Sequence, residues 1–243
     1  MLIKDLGFVL SCKKFSENLL IIKILSNNYG LITGLYRTKN IKNRFNLENV
    51  FFEWKGKNRD KLGFFKIESN YDNFDIDDDY LSSLIKASIS ELSTLFLVDN
   101  EYNPELYLSI KYFLTYLEKN KISNTFLKCK QYIIWEINFL KNIGYGIDLT
   151  KCVLSGRKDG LKYISPKSGK AVNEIYAEPY KTKLLLLPEF LIKNTTEISK
   201  KDLIKGLHLN SHFFFKATQD LNLRMEKKII FRTEILKKIN SLD

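Results

Sequence analysis

Five runs of apolar and polar positions near the front of the chain are rich in β-branched and aromatic residues and are bounded by turn residues. They are Leu6–Lys13, Leu19–Leu25, Gly30–Arg37, Val50–Lys55 and Lys61–Glu68. Phe52 and Trp54 alternate with Glu53 and Lys55, as a strand with one buried face requires. Asn27-Asn28-Tyr29-Gly30 supplies the residue types that tolerate a tight hairpin between the second and third runs. Five short, aromatic-rich strands predict a small closed barrel. The five-stranded OB-fold, which binds oligonucleotides across one face, is the leading candidate. An SH3-like barrel is the structural rival, and strand counting does not separate the two.

Beyond Tyr80 the apolar spacing changes to three and four, the helical period. Tyr80–Val98 is one expected helix, with Asp79 as its N-cap. Pro104–Lys119 is a second, with Pro in its first turn. In Asn124–Ile143 the apolar positions Phe126, Cys129, Ile133, Ile137 and Leu140 share a face, and Gly144 ends the segment. Trp135 is expected to be core here rather than a ligand contact. Lys200–Leu207, Leu209–Leu221 and Met225–Ile239 complete the helical set. Between them Cys152–Tyr180 breaks the pattern with Ser155-Gly156, Ser165-Pro166-Lys167-Ser168-Gly169 and Glu178-Pro179. An irregular hairpin inserted between helices is expected over residues 152–180. The fold class is therefore α+β, without an internal repeat.

Charge sharpens the division. The chain of 243 residues carries 39 basic and 28 acidic side chains, a formal charge of +11. Residues 1–66 hold 13 basic and five acidic residues; residues 67–80 hold six acids and no base. Residues 81–130 are close to neutral, and residues 131–243 hold 20 basic against 12 acidic. The acidic stretch Glu68–Tyr80 marks an expected boundary: a barrel over 1–78 and a mainly helical domain over 79–243. A basic balance favours an acidic partner such as nucleic acid. Lys outnumbers Arg 33 to six, a bias that an AT-rich genome also produces, so the total alone says little.

Most other chemistry is excluded. The longest apolar stretches, Leu19–Ile22 and Leu184–Leu187, fall far short of a membrane span. The start lacks the basic-then-apolar order of a signal peptide. Cys12, Cys129 and Cys152 lie far apart, which suits a reduced cytoplasmic protein. Gly169-Lys170 resembles the end of a phosphate-binding loop, but Ile164 stands at the first Gly position and Ala171 where Ser or Thr is needed. The run Asp75–Asp79 lacks a calcium loop's Gly at Tyr80 and its Glu at Lys86. His208 and His212 could share a helix face but lack a third ligand. No Ser or Cys carries a nucleophile signature. A non-enzymatic binding protein without metal or cofactor is expected.

At its centre the chain carries Trp135-Glu136, Phe139-Leu140, Ile143-Gly144-Tyr145-Gly146-Ile147-Asp148-Leu149, Cys152 and Ser155-Gly156. With these residues it resembles the bacterial recombination mediator family RecO. The resemblance continues through Tyr163-Ile164-Ser165-Pro166, Gly169-Lys170-Ala171-Val172, Leu187-Pro188-Glu189-Phe190-Leu191, Gly206-Leu207-His208-Leu209 and His212-Phe213. At the front, Val9-Leu10, Ser16-Glu17, Leu25, Tyr29-Gly30 and Gly34-Leu35 fit the family's first strands. The resemblance implies an N-terminal OB-fold, binding of single- and double-stranded DNA, and ATP-independent annealing. It implies RecR and the acidic C-terminal tail of single-stranded DNA-binding protein as partners, with RecA loaded indirectly, in the cytoplasm at the nucleoid.

Two departures stand out. Some members hold zinc with four Cys after the central motif; here Ser155 follows Cys152 and no later Cys exists. The hairpin is then a degenerate zinc-finger-like segment held by packing and turn chemistry. Thr38 also replaces the Gly that the family usually has after its third strand.

Single-strand binders of this fold combine a basic groove with aromatic platforms. The richest basic stretch is Arg37 to Arg44, where Arg37, Lys39, Lys42 and Arg44 occur with no acid. Arg37 matches the basic position that the family keeps at the end of the third strand. Lys55, Lys57, Arg59 and Lys61 form a second basic turn, and Lys13-Lys14 a third. These are the candidate phosphate contacts; the plain alternative is solvated loop cations. Tyr36 is a candidate to stack on a base or to pack. Neutralising phosphates on two strands removes their repulsion and releases counterions, so annealing needs no covalent step. The basic C-terminal part could contact DNA or receive an acidic peptide. An RNA-binding or RNA-annealing barrel is the rival function.

Overall fold

The computed structural model describes residues 1–38, 47–72, 74–76, 79–120, 124–193, 197–223 and 229–242, with backbone alone for 69–72. By compactness the chain divides into residues 1–122 with 229–232, and residues 123–228 with 233–243. This division is distinct from the charge boundary expected at 78/79.

In the first unit the five strands are β1 (Leu2–Ser16), β2 (Leu19–Ser26), β3 (Gly30–Arg37), β4 (Asn49–Lys55) and β5 (Gly63–Asp72). Four lie within two residues of their expected starts; β1 begins earlier and runs further. It pairs with β4 through its first half and with β2 through its second, so one long strand serves both edges of the closure. The order is β1-β2-β3-β5-β4 and the barrel is closed. β3 and β5 run parallel while every other pair is antiparallel. That order is the OB-fold's and decides against a simple meander.

Gly34 and Gly63 sit opposite each other across the parallel pair. A Cβ on Gly34 would lie 2.7 Å from the Phe65 ring, and one on Gly63 would lie 2.5 Å from the Trp54 indole. The two glycines therefore make room for Trp54, whose indole N–H donates to the Thr33 carbonyl at 3.3 Å. Ile3, Val9, Leu20, Ile22, Ile24, Ile32, Val50, Phe52, Trp54 and Phe65 fill the interior. Asp5 is nearly buried and accepts hydrogen bonds from the Ser26 hydroxyl and from both nitrogens of Asn28, which fixes the β2–β3 hairpin.

Two helices group with the barrel: α1 (Tyr80–Phe96) and α2 (Pro104–Lys119). The Asp79 side chain caps α1 at the Ser82 N–H, 2.7 Å away, as the sequence predicts. Asn103 caps α2 in the same way, with Pro104 at its first position.

In the second unit α3 (Thr125–Asn142) packs against α5 (Lys200–Asp220). Trp135 is buried, with its ring tilted against Phe139 at 5.3 Å between centroids, and Phe139 lies 6.1 Å from Phe214. The buried Glu136 carboxylate accepts from the Asn210 amide at 2.9 Å. The sequence predicts a break before Leu209, yet α5 is continuous through His208. Within it Gly206 sits against α3, where a Cβ would meet Ile133 at 2.8 Å. The helix uses that position for close approach. The helix expected from Met225 is α6 (Ile230–Asn240); residues 224–228 lie outside the described residues.

The inserted hairpin is β6 (Leu161–Ile164) against β7 (Ala171–Asn173), followed by a short helix α4 (Glu174–Ala177). β8 (Leu185–Leu186) joins the other edge of β6. Cys152 is buried and its Sγ accepts from the Asn173 N–H at 3.2 Å. Burial pushes that thiol up, but hydrogen bonding from Ser155 and from the Asn173 N–H prevails and holds it below the usual thiol range. Gly156 N–H closes the first turn on the Cys152 carbonyl, and Gly169 N–H closes the second on Ser165, each at 2.9 Å. Both glycines have positive φ, which lets the turns close tightly.

Candidate nucleic-acid interface

A barrel strand turns alternate side chains inward, so the outward positions can be read from register. In β2 Leu20, Ile22 and Ile24 are core, which leaves Leu19, Ile21 and Lys23 outside. In β3 Ile32 is core, which leaves Thr33, Leu35 and Arg37 outside. In β5 Phe65 is 6% exposed whereas Phe64 is 52% exposed.

Register links these outer positions into one row. Lys13 faces Ile21, Ile21 faces Leu35, Leu35 faces Phe64, and Phe64 faces Lys55. Lys55 in turn faces Leu2 on the start of β1, so the row circles the barrel and returns to the strand it left. A half-row beside it sets Arg37 against Leu19. Phe15, out of register between Lys14 and Ser16, is 57% exposed, and Leu62, two residues before Phe64, is 51% exposed. The surface is thus an aromatic and aliphatic strip with Lys13, Arg37 and Lys55 at its margins, all three exposed.

Neighbouring rows differ in charge. Lys23 makes an ion pair with Asp99 at 2.8 Å, and Thr33 donates to the same carboxylate at 3.0 Å. Lys4 pairs with Glu53 at 2.5 Å. That hydrogen bond, with the charges of Lys4 and Lys66, holds the Glu53 carboxyl below the usual range. Among the described residues, no carboxylate pairs with Lys13, Arg37 or Lys55. Among those residues, the cations beside the apolar strip keep their donors for solvent or an anion.

The expected site residues separate under this geometry. Lys13, Arg37 and Lys55 come together around the strip. Lys14 is exposed at the end of β1, facing Leu20, and Lys57 is exposed in the turn after β4. Tyr36 lies on the inward side of β3 and packs against the barrel core. The Arg59 guanidinium is turned into the protein, where it donates to the Tyr29 carbonyl and, at 3.4 Å, to the Asn100 carbonyl. Asn100 returns a bond to the Arg59 carbonyl at 3.2 Å. Lys39, Lys42 and Arg44 lie outside the described residues. Sequence reasoning misses Phe64, Phe15 and Leu35, although Phe64 shares its parity with Lys66 and Glu68.

The second unit holds a different surface. Leu184, Leu185 and Leu186 face Ile204 and Leu209 of α5 across an apolar groove of about 580 Å³. The other lining residues are Lys200, Lys201, Lys205 and His208. Lys205 pairs with Asp202 at 2.8 Å, and Lys200 donates to the Leu242 carbonyl.

No three His, Cys, Asp or Glu side chains gather into a metal-binding group among the described residues. His212 instead sets its ring 3.3 Å from the Pro166 carbonyl. No described helix is long and apolar enough to cross a membrane.

Comparison with known proteins adds a second line. A family model described as Recombination protein O C terminal matches residues 78–213. The DNA repair protein RecO of Rickettsia canadensis is 31% identical over 241 residues, covering 97% of both chains. That of Rickettsia typhi is 31% identical over 236 residues, covering 94% of this chain and 96% of its own. That of Rickettsia bellii is 32% identical over 244 residues, covering 98% of both.

Proposed function

The chain belongs to the RecO family of DNA repair proteins, and from that premise we propose that it is a non-enzymatic recombination mediator. In this reading it binds single- and double-stranded DNA and anneals complementary strands without ATP or metal. With RecR it helps to load RecA onto DNA coated by single-stranded DNA-binding protein, in the cytoplasm at the nucleoid. Residues 1–78 act as the DNA-binding domain and 79–243 as the partner-facing domain. The observation that carries the reading is the exposed row on the barrel, with Lys13, Arg37 and Lys55 around it and no acid pairing with them among the described residues.

The mechanism needs only charge and exposure. Three cations beside an apolar strip bind backbone phosphates and release condensed counterions. Backbone contacts carry little sequence information, so any complementary pair can be held and base pairing selects the match. Lys14 and Lys57 extend the same cationic margin, as do Lys39, Lys42 and Arg44 by sequence. Arg59 supports the surface by bracing the β4–β5 turn. The groove between Leu184–Leu186 and α5 suits an acidic peptide with apolar side chains. Such a peptide sets its apolar groups against leucines and its carboxylates against Lys200 and Lys201. We assign the acidic tail of single-stranded DNA-binding protein to it.

The test is annealing of complementary oligonucleotides, bare or coated with single-stranded DNA-binding protein with and without its tail. Bare strands should anneal in EDTA without ATP. Coated strands should anneal only when the tail is present, and Lys201→Glu should remove that tail dependence while sparing bare strands. Failure to bind or anneal bare DNA would overturn the reading, and preferential annealing of RNA would favour the rival.

A further inference from the structure

The barrel's exposed row contains an aromatic ring that packing does not account for. Phe64 and Phe65 are adjacent, yet they have opposite fates. Phe65 enters the core and meets Phe52 edge-on, with ring centroids 5.5 Å apart. Phe64 stands outside, 52% exposed, between Leu35 on one neighbouring strand and Lys55 on the other. Leu35 and Ile21 are half-buried beside it, and Lys13 closes the far end. At the usual spacing between strands, Lys13 to Lys55 spans about 19 Å around the barrel. That is several nucleotides of an extended strand.

We propose that Phe64, with Leu35 and then Ile21 next along the row, is a stacking platform for unpaired bases, with Lys13 and Lys55 holding the phosphates on either side. This deepens the DNA-binding reading and rests on it, because it assigns the ligand chemistry of that surface. An exposed ring on the strand beside Leu35 offers a π-face that any unpaired base can cover. In a duplex the bases are already stacked on each other and their faces are closed. A duplex can therefore use the cations of the row but not Phe64. The sequence candidate for stacking, Tyr36, lies on the core-facing side of the same sheet; Phe15 is also exposed, but it stands out of register at the end of β1, whereas Phe64 is paired within the row. The cations at both ends distinguish the strip from a docking site for an apolar protein surface, since two cations that no carboxylate pairs with among the described residues suit a polyanion.

The experiment measures binding of the full chain to a thymidine oligonucleotide, to its abasic analogue and to a duplex of equal length, at one salt concentration. Phe64→Ala should weaken binding to the thymidine strand about 5- to 100-fold. It should leave duplex and abasic affinities unchanged. Phe64→Trp should keep or raise single-strand affinity, which also shows that the position tolerates change without unfolding. Single-strand affinity unchanged in Phe64→Ala would overturn the platform while leaving DNA binding intact. An equal loss on all three ligands would overturn it as well, because it would mark a structural or purely electrostatic role. If the unaltered chain binds none of the three, the platform falls together with the DNA-binding reading itself.

Discussion

Two rows of side chains run across the outside of the same barrel, and they are close in composition. One is Asn49–Phe8–Leu25–Leu31, the other Lys55–Phe64–Leu35–Ile21–Lys13. The first is covered. Phe8 meets Phe74 at 6.3 Å and Tyr107 of α2 at 5.1 Å, Tyr107 reaches Asn49 at 3.4 Å, and Asn100 N–H binds the Leu31 carbonyl at 2.8 Å. Phe8, Leu25 and Leu31 are almost fully buried. The second row keeps Phe64 in solvent and ends in cations. A phenylalanine on the outer surface of a strand thus has two physical uses in one domain. Where a helix lies over it, it stabilises the fold. Where charges ring it and half of the ring stays in solvent, it is available to a ligand.

Removing the ring from each row breaks or sharpens this contrast. Phe8→Ala should destabilise the protein by about 3–5 kcal/mol, through reduced burial and the cavity left under α2. Phe64→Ala should change stability by no more than about 0.5 kcal/mol, as surface substitutions do. Chemical denaturation of the two variants measures both. Equal destabilisation would mean that the two rows are not different in kind.

A smaller effect comes from the acid nearest the open row. Glu53 shares a face with Lys55 and is held by Lys4. Glu53→Gln should raise affinity for single strands about twofold at low salt, and less as screening sets in. Lowering the pH should mimic it only below the usual carboxyl range, since the folded pKa is depressed and Glu53 stays charged until then. Any stability from the Lys4 pair is likewise present above the ordinary carboxyl range and disappears as pH falls through that lower value. An affinity that drops in the Gln variant would contradict the placement of the phosphate beside Lys55.

Much of the barrel is legible in the sequence because its strands are runs rich in β-branched and aromatic residues, bounded by turn residues, and one of them alternates cleanly. Phe52 and Trp54 point inward and Glu53 and Lys55 outward, as the pattern demands. Helix starts are legible where a cap is chemically distinct, as at Asp79. The continuous α5 is not, since the sequence divides it at His208 while the helix runs from Lys200 to Asp220. The site divides in the same way. Arg37, Lys13 and Lys55 announce themselves as strand-end cations without acids. Arg59 looks identical in sequence, but its fate is set by the Tyr29 carbonyl, which only the closed barrel brings near. Tyr36 follows the parity of Ile32 and Gly34 and so packs inward. Phe64 follows the parity of Lys66 and Glu68, a signal hidden by the second Phe beside it.

If single strands meet the barrel at the open row, a salt titration of oligonucleotide binding will show it. The unaltered chain should lose affinity steeply with salt. Changing Lys13, Arg37 and Lys55 together to Ala should reduce the slope of log K against log salt by about 2, at roughly 0.7 for each single-strand phosphate that is no longer neutralised. A slope unchanged in that triple variant would place the DNA elsewhere and contradict the account.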